Sequence, residues 1–147
     1  MELDRDGIME LLPHRDPFLF LDRARVVEPG VEATAEHDVP TDAFWVPGHF
    51  PQEAVMPGVL IAEAMAQTAA IAVLAGDADK AGHAVYLVGY DKLRFRKPVR
   101  PGDTLRLSAR LERSRRGMVT LEASAHVGED RVASGTLMAV AAAADGS

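Results

Sequence analysis

Hydrophobic and polar residues alternate with a period of two over most of this chain, and the alternation stops in one place. In VEATAEHDV, residues 31–39, Val31, Ala33, Ala35 and Val39 fall on one face and Glu32, Thr34, Glu36 and Asp38 on the other. TLRLSARLE, residues 104–112, sets Leu105, Leu107, Ala109 and Leu111 against Arg106, Ser108, Arg110 and Glu112. MVTLEASAHV, residues 118–127, repeats the pattern with Val119, Leu121, Ala123, Ala125 and Val127. A period of two with one wet face predicts antiparallel strands covering something on their dry side. Arg116-Gly117 and Gly128-Glu129-Asp130 predict hairpin turns between successive strands. Stretches 18–27, 84–90 and 131–140 complete a set of about six strands.

The interruption is PGVLIAEAMAQTAAIAVL, residues 57–74, rich in Ala, Leu and Met and long enough for about five helical turns. Pro57 suits a first helical position and Gly76 a stop. The segment is apolar nearly all round, so burial nearly all round is expected. One long central helix with about six antiparallel strands predicts an α+β fold, a sheet wrapped around the helix. Residues 1–147 read as a single domain, without repeat, linker or low-complexity segment beyond the alanine-rich end of the chain. Segment 55–75 is the one candidate membrane span. Pro57, Gly58, Glu63 and Gln67 within it favour a buried helix, so no membrane partner is expected.

Composition narrows the chemistry. There are no cysteines, which excludes disulfides, thiolate metal sites and a cysteine nucleophile, and fits a cytoplasmic protein. The opening MELDRDGIMELLPHRD has no long apolar run, so no signal peptide is expected. The net charge of −6 hides an asymmetry: residues 92–116 hold ten basic residues against two acids, Asp103 and Glu112. That run reads either as the solvated faces of strands or as a docking surface for an acidic partner. Nucleic acid is not expected, because the chain is acidic and the basic run has only Phe95 as a stacking platform.

Glu63 and Gln67, four residues apart, share one stripe of the predicted helix. No lysine or arginine lies between Arg25 and Lys80, so Glu63 has no cation near it in sequence. Burial without a cation raises a carboxyl pKa, which would make Glu63 a proton donor near neutral pH; a structural glutamate bonded to backbone or to a neighbouring subunit is the plainer alternative. His49 stands in PGHFP, where Gly48 and two prolines imply a shaped loop. His14, His37, His83 and His126 show no HxH or HExxH spacing, so no metal site is expected. With no nucleophile elbow, phosphate loop or dinucleotide fingerprint, a histidine with a protonatable carboxyl is the acid–base pair on offer.

GHFP, then VMPGVLIAEAMAQ, preceded by LLPHRDPFLFLDR and followed by YDKLRFRKPVRPGD, resembles the FabZ-type 3-hydroxyacyl-acyl carrier protein dehydratases of the hot-dog fold. The resemblance runs in order from about Leu11 to Met138. It implies two protomers paired in a homodimer, each active site taking its histidine from one chain and its acid from the other, with three dimers forming a hexamer. It implies His49 and Glu63 as catalytic residues acting on a (3R)-3-hydroxyacyl thioester on the phosphopantetheine arm of an acyl carrier protein. No further cofactor is implied. His49 would take the C2 proton and Glu63 would protonate the departing hydroxyl; in the alternative cycle His49 handles both protons and Glu63 orients water. Gly58, at the family's M-P-G turn, would offer its N–H to the thioester oxygen, or be no more than a helix-start glycine. Gln67 shares the stripe of Glu63. Phe18, Phe20, Phe50, Val59 and Tyr86 are candidate tunnel walls, and ordinary core packing explains each as well. Arg94, Arg96, Lys97 and Arg100 are candidates to receive the acidic carrier.

The sequence departs from the family pattern twice. Gln52-Glu53-Ala54-Val55 stands where a Gly-x-Pro-Val turn is usual, and Asp16 stands where a tyrosine is common. Neither removes a catalytic group, but both bear on acyl length and carrier, and they suit a polyketide or specialised acyl pathway. Two rivals remain: a hot-dog acyl thioesterase, and a non-catalytic or heteromeric partner subunit of a dehydratase. An isomerase side activity is also open.

Overall fold

The structure is a computed structural model and describes residues 1–141. In chain order the elements are β1 (Glu2–Leu3), α1 (Arg5–Leu11), β2 (Arg23–Glu28), β3 (Glu32–Asp38), α2 (Gly58–Leu74), β4 (Val85–Phe95), β5 (Thr104–Arg115), β6 (Met118–Val127) and β7 (Asp130–Ala141). The strands form one sheet of seven in the order β1-β2-β3-β5-β6-β7-β4. Every pairing in it is antiparallel.

The alternating residues do what their period requires. Ala33 and Ala35 of β3, Leu105, Leu107 and Ala109 of β5, and Leu121, Ala123 and Ala125 of β6 are all buried. They face α2, whose Ala64, Met65, Ile71 and Leu74 are fully buried. Alanine recurs on both surfaces, and its short side chain lets the helix settle into the concave side of the sheet.

The described residues form seven strands where about six are expected, because β1 adds an edge too short to show a period. The α1 helix also went unread: it is seven residues long, started by the Asp4 carboxylate accepting from Gly7 N–H at 2.9 Å. The strand expected at 18–27 begins at Arg23. Ahead of it, the backbone at Phe18 and Phe20 is bonded to the Gln67 side chain instead of a neighbouring strand.

The far end of α2 is fixed by two glycines. Gly30 N–H donates to the Ala72 carbonyl at 2.9 Å, serving one of the carbonyls left free at the helix end. A Cβ on Gly76 would lie 2.6 Å from Gly30 Cα, backbone against backbone with nothing flexible to yield. Gly76→Ala is therefore expected to destabilise the protein by about 1–3 kcal/mol, the usual range for overpacking. Urea unfolding checks it; a midpoint equal to wild type would show that the turn can move.

Candidate active site

Between β3 and α2 the chain carries no regular element, and its own hydrogen bonds shape it. The N–H groups of Gly48 and His49 both donate to the carbonyl of Trp45, whose side chain is buried. Phe50 and Glu53 exchange backbone bonds of 3.0 and 3.2 Å, closing the turn that carries Gln52. The His49–Phe50 peptide bond is cis.

His49 is held twice by Val55. Its carbonyl accepts the Val55 N–H at 2.8 Å, and its Nδ1 lies 2.8 Å from the Val55 carbonyl. A carbonyl can only accept, so Nδ1 carries the hydrogen and Nε2 of the neutral ring keeps its lone pair. The Phe50 ring stacks on the imidazole at 4.3 Å. The result is an imidazole with a fixed tautomer whose Nε2 has no partner among the described residues.

His49 opens onto a cleft of about 350 Å³ shared with Gly58, Ile61, Phe95, Arg96 and Lys97. Gly58 begins α2, and its N–H donates to none of the described residues. A side chain on Gly58 would press on the Phe95 ring at 3.2 Å. Glycine thus keeps the helix start open and lets Phe95 close over it.

Glu63 is not a lining residue of this cleft. The helix α2 is buried nearly all round, as expected, and the exception is one stripe: Val59 is 76% exposed, and Glu63, Ala66 and Val73 are only partly covered. The Glu63 side chain is 26% exposed, and it does have a titratable neighbour, His14 Nε2, 3.4 Å from Oε2. Gln67 Nε2 donates to the same oxygen at 3.0 Å. Gln67 is itself fixed, its Oε1 accepting from Phe20 N–H and its Nε2 donating also to the Phe18 carbonyl, both at 2.9 Å. Tyr90 on β4 donates to the Ala62 carbonyl at 2.8 Å. Burial, with the Glu63 charge adding to it, pushes the Tyr90 phenol up to about 12.

The structure thus brings His49 and Gly58 together, and Glu63 and Gln67 together, but places the two pairs apart. Of the candidate tunnel walls, Phe20 is a core residue at 4% exposure, while Phe18, Phe50, Val59 and Tyr86 stand open. Arg96 and Lys97 border the His49 cleft. Lys97 pairs with Asp130 at 3.0 Å and Arg100 with Glu53 at 2.6 Å, whereas Arg94 and Arg96 form no ion pair among the described residues. The unusual Glu53 is therefore occupied by Arg100. Asp16 is likewise engaged, by Arg5. His14 and Tyr90 were not anticipated beside Glu63. For His14 the signal was its place in LLPHRDPF; for Tyr90 only the sheet register could supply it.

On the α2 stripe, Ala66 and Val73 meet Val85 and Leu87 of β4 along a narrow apolar slot. β4 is an outer strand of the sheet and exposes Tyr86, Leu87 and Val88. No helix among the described residues is long and apolar enough to cross a membrane.

A 3-hydroxyacyl-[acyl-carrier-protein] dehydratase FabZ of Chloroflexus aggregans is 50% identical over 122 residues, covering 83% of this chain and 84% of the relative. One from Bordetella petrii is 47% identical over 143 residues, covering 94% and 95%. Among solved structures, the dehydratase heterocomplex ApeI:P from Xenorhabdus doucetiae superposes with a TM-score of 0.77 at 18% identity, over 95% of this chain and 93% of that one, which shows the shared hot-dog fold. The family model described as FabA-like domain matches residues 12–136, and with these relatives it shows that the chain belongs to the FabA-like family, alongside the FabZ-type dehydratases.

Proposed function

We propose that the protein dehydrates (3R)-3-hydroxyacyl thioesters, carried on the phosphopantetheine arm of an acyl carrier protein, to trans-2-enoyl thioesters during fatty acid or polyketide chain elongation. The observation that carries this is His49: its Nδ1 hydrogen is spent on Val55, and its ring lines a cleft that also holds Gly58, whose N–H donates to none of the described residues. The relatives at 50% and 47% identity bear the name of such dehydratases.

His49 Nε2 removes the C2 proton. Negative charge then grows on the thioester oxygen, where the Gly58 N–H, at the positive end of α2, stabilises it. The C2–H electron pair becomes the double bond, and the C3 hydroxyl departs as water with a proton from Glu63. No cofactor beyond the carrier's arm takes part.

The acid belongs to a second copy of the chain. Gly58 and Ile61 face the His49 cleft, and at about 100° per residue Glu63 lies about 140° around the helix from Gly58. One protomer therefore turns its acid away from its own base. The long exposed β4 edge and the open α2 stripe are where a twofold partner would pair, extending the sheet and bringing its Glu63 to this His49. The opposite edge, β1, has two residues and offers little to a partner. Three such dimers can assemble further without changing the site. Arg96 and Lys97 at the cleft border, with Arg94 and Arg100 nearby in sequence, receive the acidic carrier; the Lys97 and Arg100 ion pairs are exposed and easily given up.

Mass spectrometry of a 3-hydroxyacyl-carrier protein incubated with the enzyme tests the proposal, with the enoyl thioester offered for the reverse reaction. Loss or gain of one water is expected. Release of free acid would make the protein a thioesterase. No change at any acyl length, despite carrier binding, would make it a partner subunit.

A further inference from the structure

His14 has no part in the reaction as just described, yet it is held against the acid. Arg15 fixes its turn by donating to the carbonyls of Leu12 and His14 at 2.9 and 2.7 Å, and of Met9 at 3.1 Å. From that turn His14 sends Nε2 to within 3.4 Å of Glu63 Oε2. Its Nδ1 is buried and has no hydrogen-bond partner among the described residues. A hydrogen on Nδ1 would be stranded there, and an orphaned N–H is the rarer and costlier of the two unpaired states. The ring is thus set as the neutral tautomer with its hydrogen on Nε2.

The groups around Glu63 leave that hydrogen one use. Tyr90, from β4, spends its hydroxyl proton on the Ala62 carbonyl. Gln67, from α2, spends one amide hydrogen on Phe18 and the other on Glu63 Oε2. His14, from the segment after α1, is the remaining donor, and its Nε2 lies 3.4 Å from the same oxygen.

Resting on the dehydratase reading, we propose that His14 is a positioning residue that donates from Nε2 to Glu63 Oε2 alongside Gln67, so that the proton Glu63 delivers is confined to Oε1. An oxygen that already accepts two N–H groups cannot also carry the acidic hydrogen in good geometry. In the transfer, the Oε1–H proton goes to the C3 hydroxyl as the C3–O bond breaks, and water leaves with that bond's electron pair. The C2 proton is by then on His49. The carboxylate left behind keeps both N–H donors, and exchange of the two protons with solvent resets the pair. The 3.4 Å contact is longer than a formed hydrogen bond, and closing it takes a movement of a few tenths of an ångström, of the kind active sites make on binding.

The test compares His14→Gln, which keeps an N–H near the Nε2 position, with His14→Phe, which keeps bulk and loses the donor. Turnover of 3-hydroxyacyl-carrier protein and thermal unfolding are measured for both, and for Glu63→Gln. His14→Phe is expected to lose about tenfold or more in kcat with KM little changed, as misplacement of a catalytic group does, while His14→Gln stays near wild type. In ¹⁵N-histidine NMR spectra at neutral pH, His14 should show a hydrogen on Nε2 and a bare Nδ1. Wild-type kcat in His14→Phe, a change confined to KM, equal damage in both variants, or the opposite tautomer would overturn the proposal. An active Glu63→Gln enzyme would instead overturn the role of Glu63, so the two failures are distinguishable.

Discussion

Replacing His49 by alanine is expected to lower kcat for 3-hydroxyacyl-carrier protein by roughly 10²–10⁴-fold, the usual contribution of a positioned general base. The geometry makes the loss hard to offset. His49 is the one imidazole lining the cleft among the described residues, and its tautomer is fixed by a 2.8 Å bond to Val55 that alanine cannot make. The same bond is what the fold loses, at a cost of about 1 kcal/mol. Unfolding should therefore change little while turnover collapses. Carrier binding should persist, since the basic residues bordering the cleft are untouched. Turnover and a denaturation curve on the same preparation decide it. Activity within a few-fold of wild type would remove His49 from the chemistry and revive the reading of a chain that only supports another's site.

Mixing two inactive variants is expected to restore activity. His49→Ala and Glu63→Gln chains are each inactive alone, because every homodimer they form lacks one partner of the acid–base pair at both sites. Unfolded together and refolded, they form mixed dimers in which one site combines the intact His49 of one chain with the intact Glu63 of the other. With random twofold pairing, about a quarter of wild-type activity should return. The expectation comes from the helix itself, on which Gly58 and Ile61 face the base and Glu63 does not. No recovery, with mixed dimers demonstrated by mass, would mean that both groups of a working site come from one chain. The α2 stripe and the β4 edge would then need another occupant.

Much of the fold was legible because its signals are local. Strands β3, β5 and β6 declare themselves through alternation, and α2 through an apolar run started by Pro57 and ended near Gly76. The start of β2 is not legible locally, because residues 18–21 look like a strand while the backbone of Phe18 and Phe20 bonds to Gln67, distant in sequence. The same distance hid His14 from Glu63. A search for lysine or arginine near Glu63 in sequence finds none, and the contact arrives from a turn almost fifty residues earlier.

The sequence by itself determined the residue types and their family pattern: His49 in its glycine- and proline-bound loop, and Glu63 and Gln67 four apart on one helix. It also determined the order of the longer strands around α2 and the dry faces of the sheet, since a strand's or helix's period is set by neighbouring residues alone. The tertiary structure decided the rest. It set which nitrogen of His49 carries the hydrogen, which oxygen of Glu63 accepts from Gln67, and that His49 and Glu63 of one chain face different ways. These follow from where the Val55 carbonyl, the His14 ring and the edge of the sheet come to lie in space, and no local period encodes that.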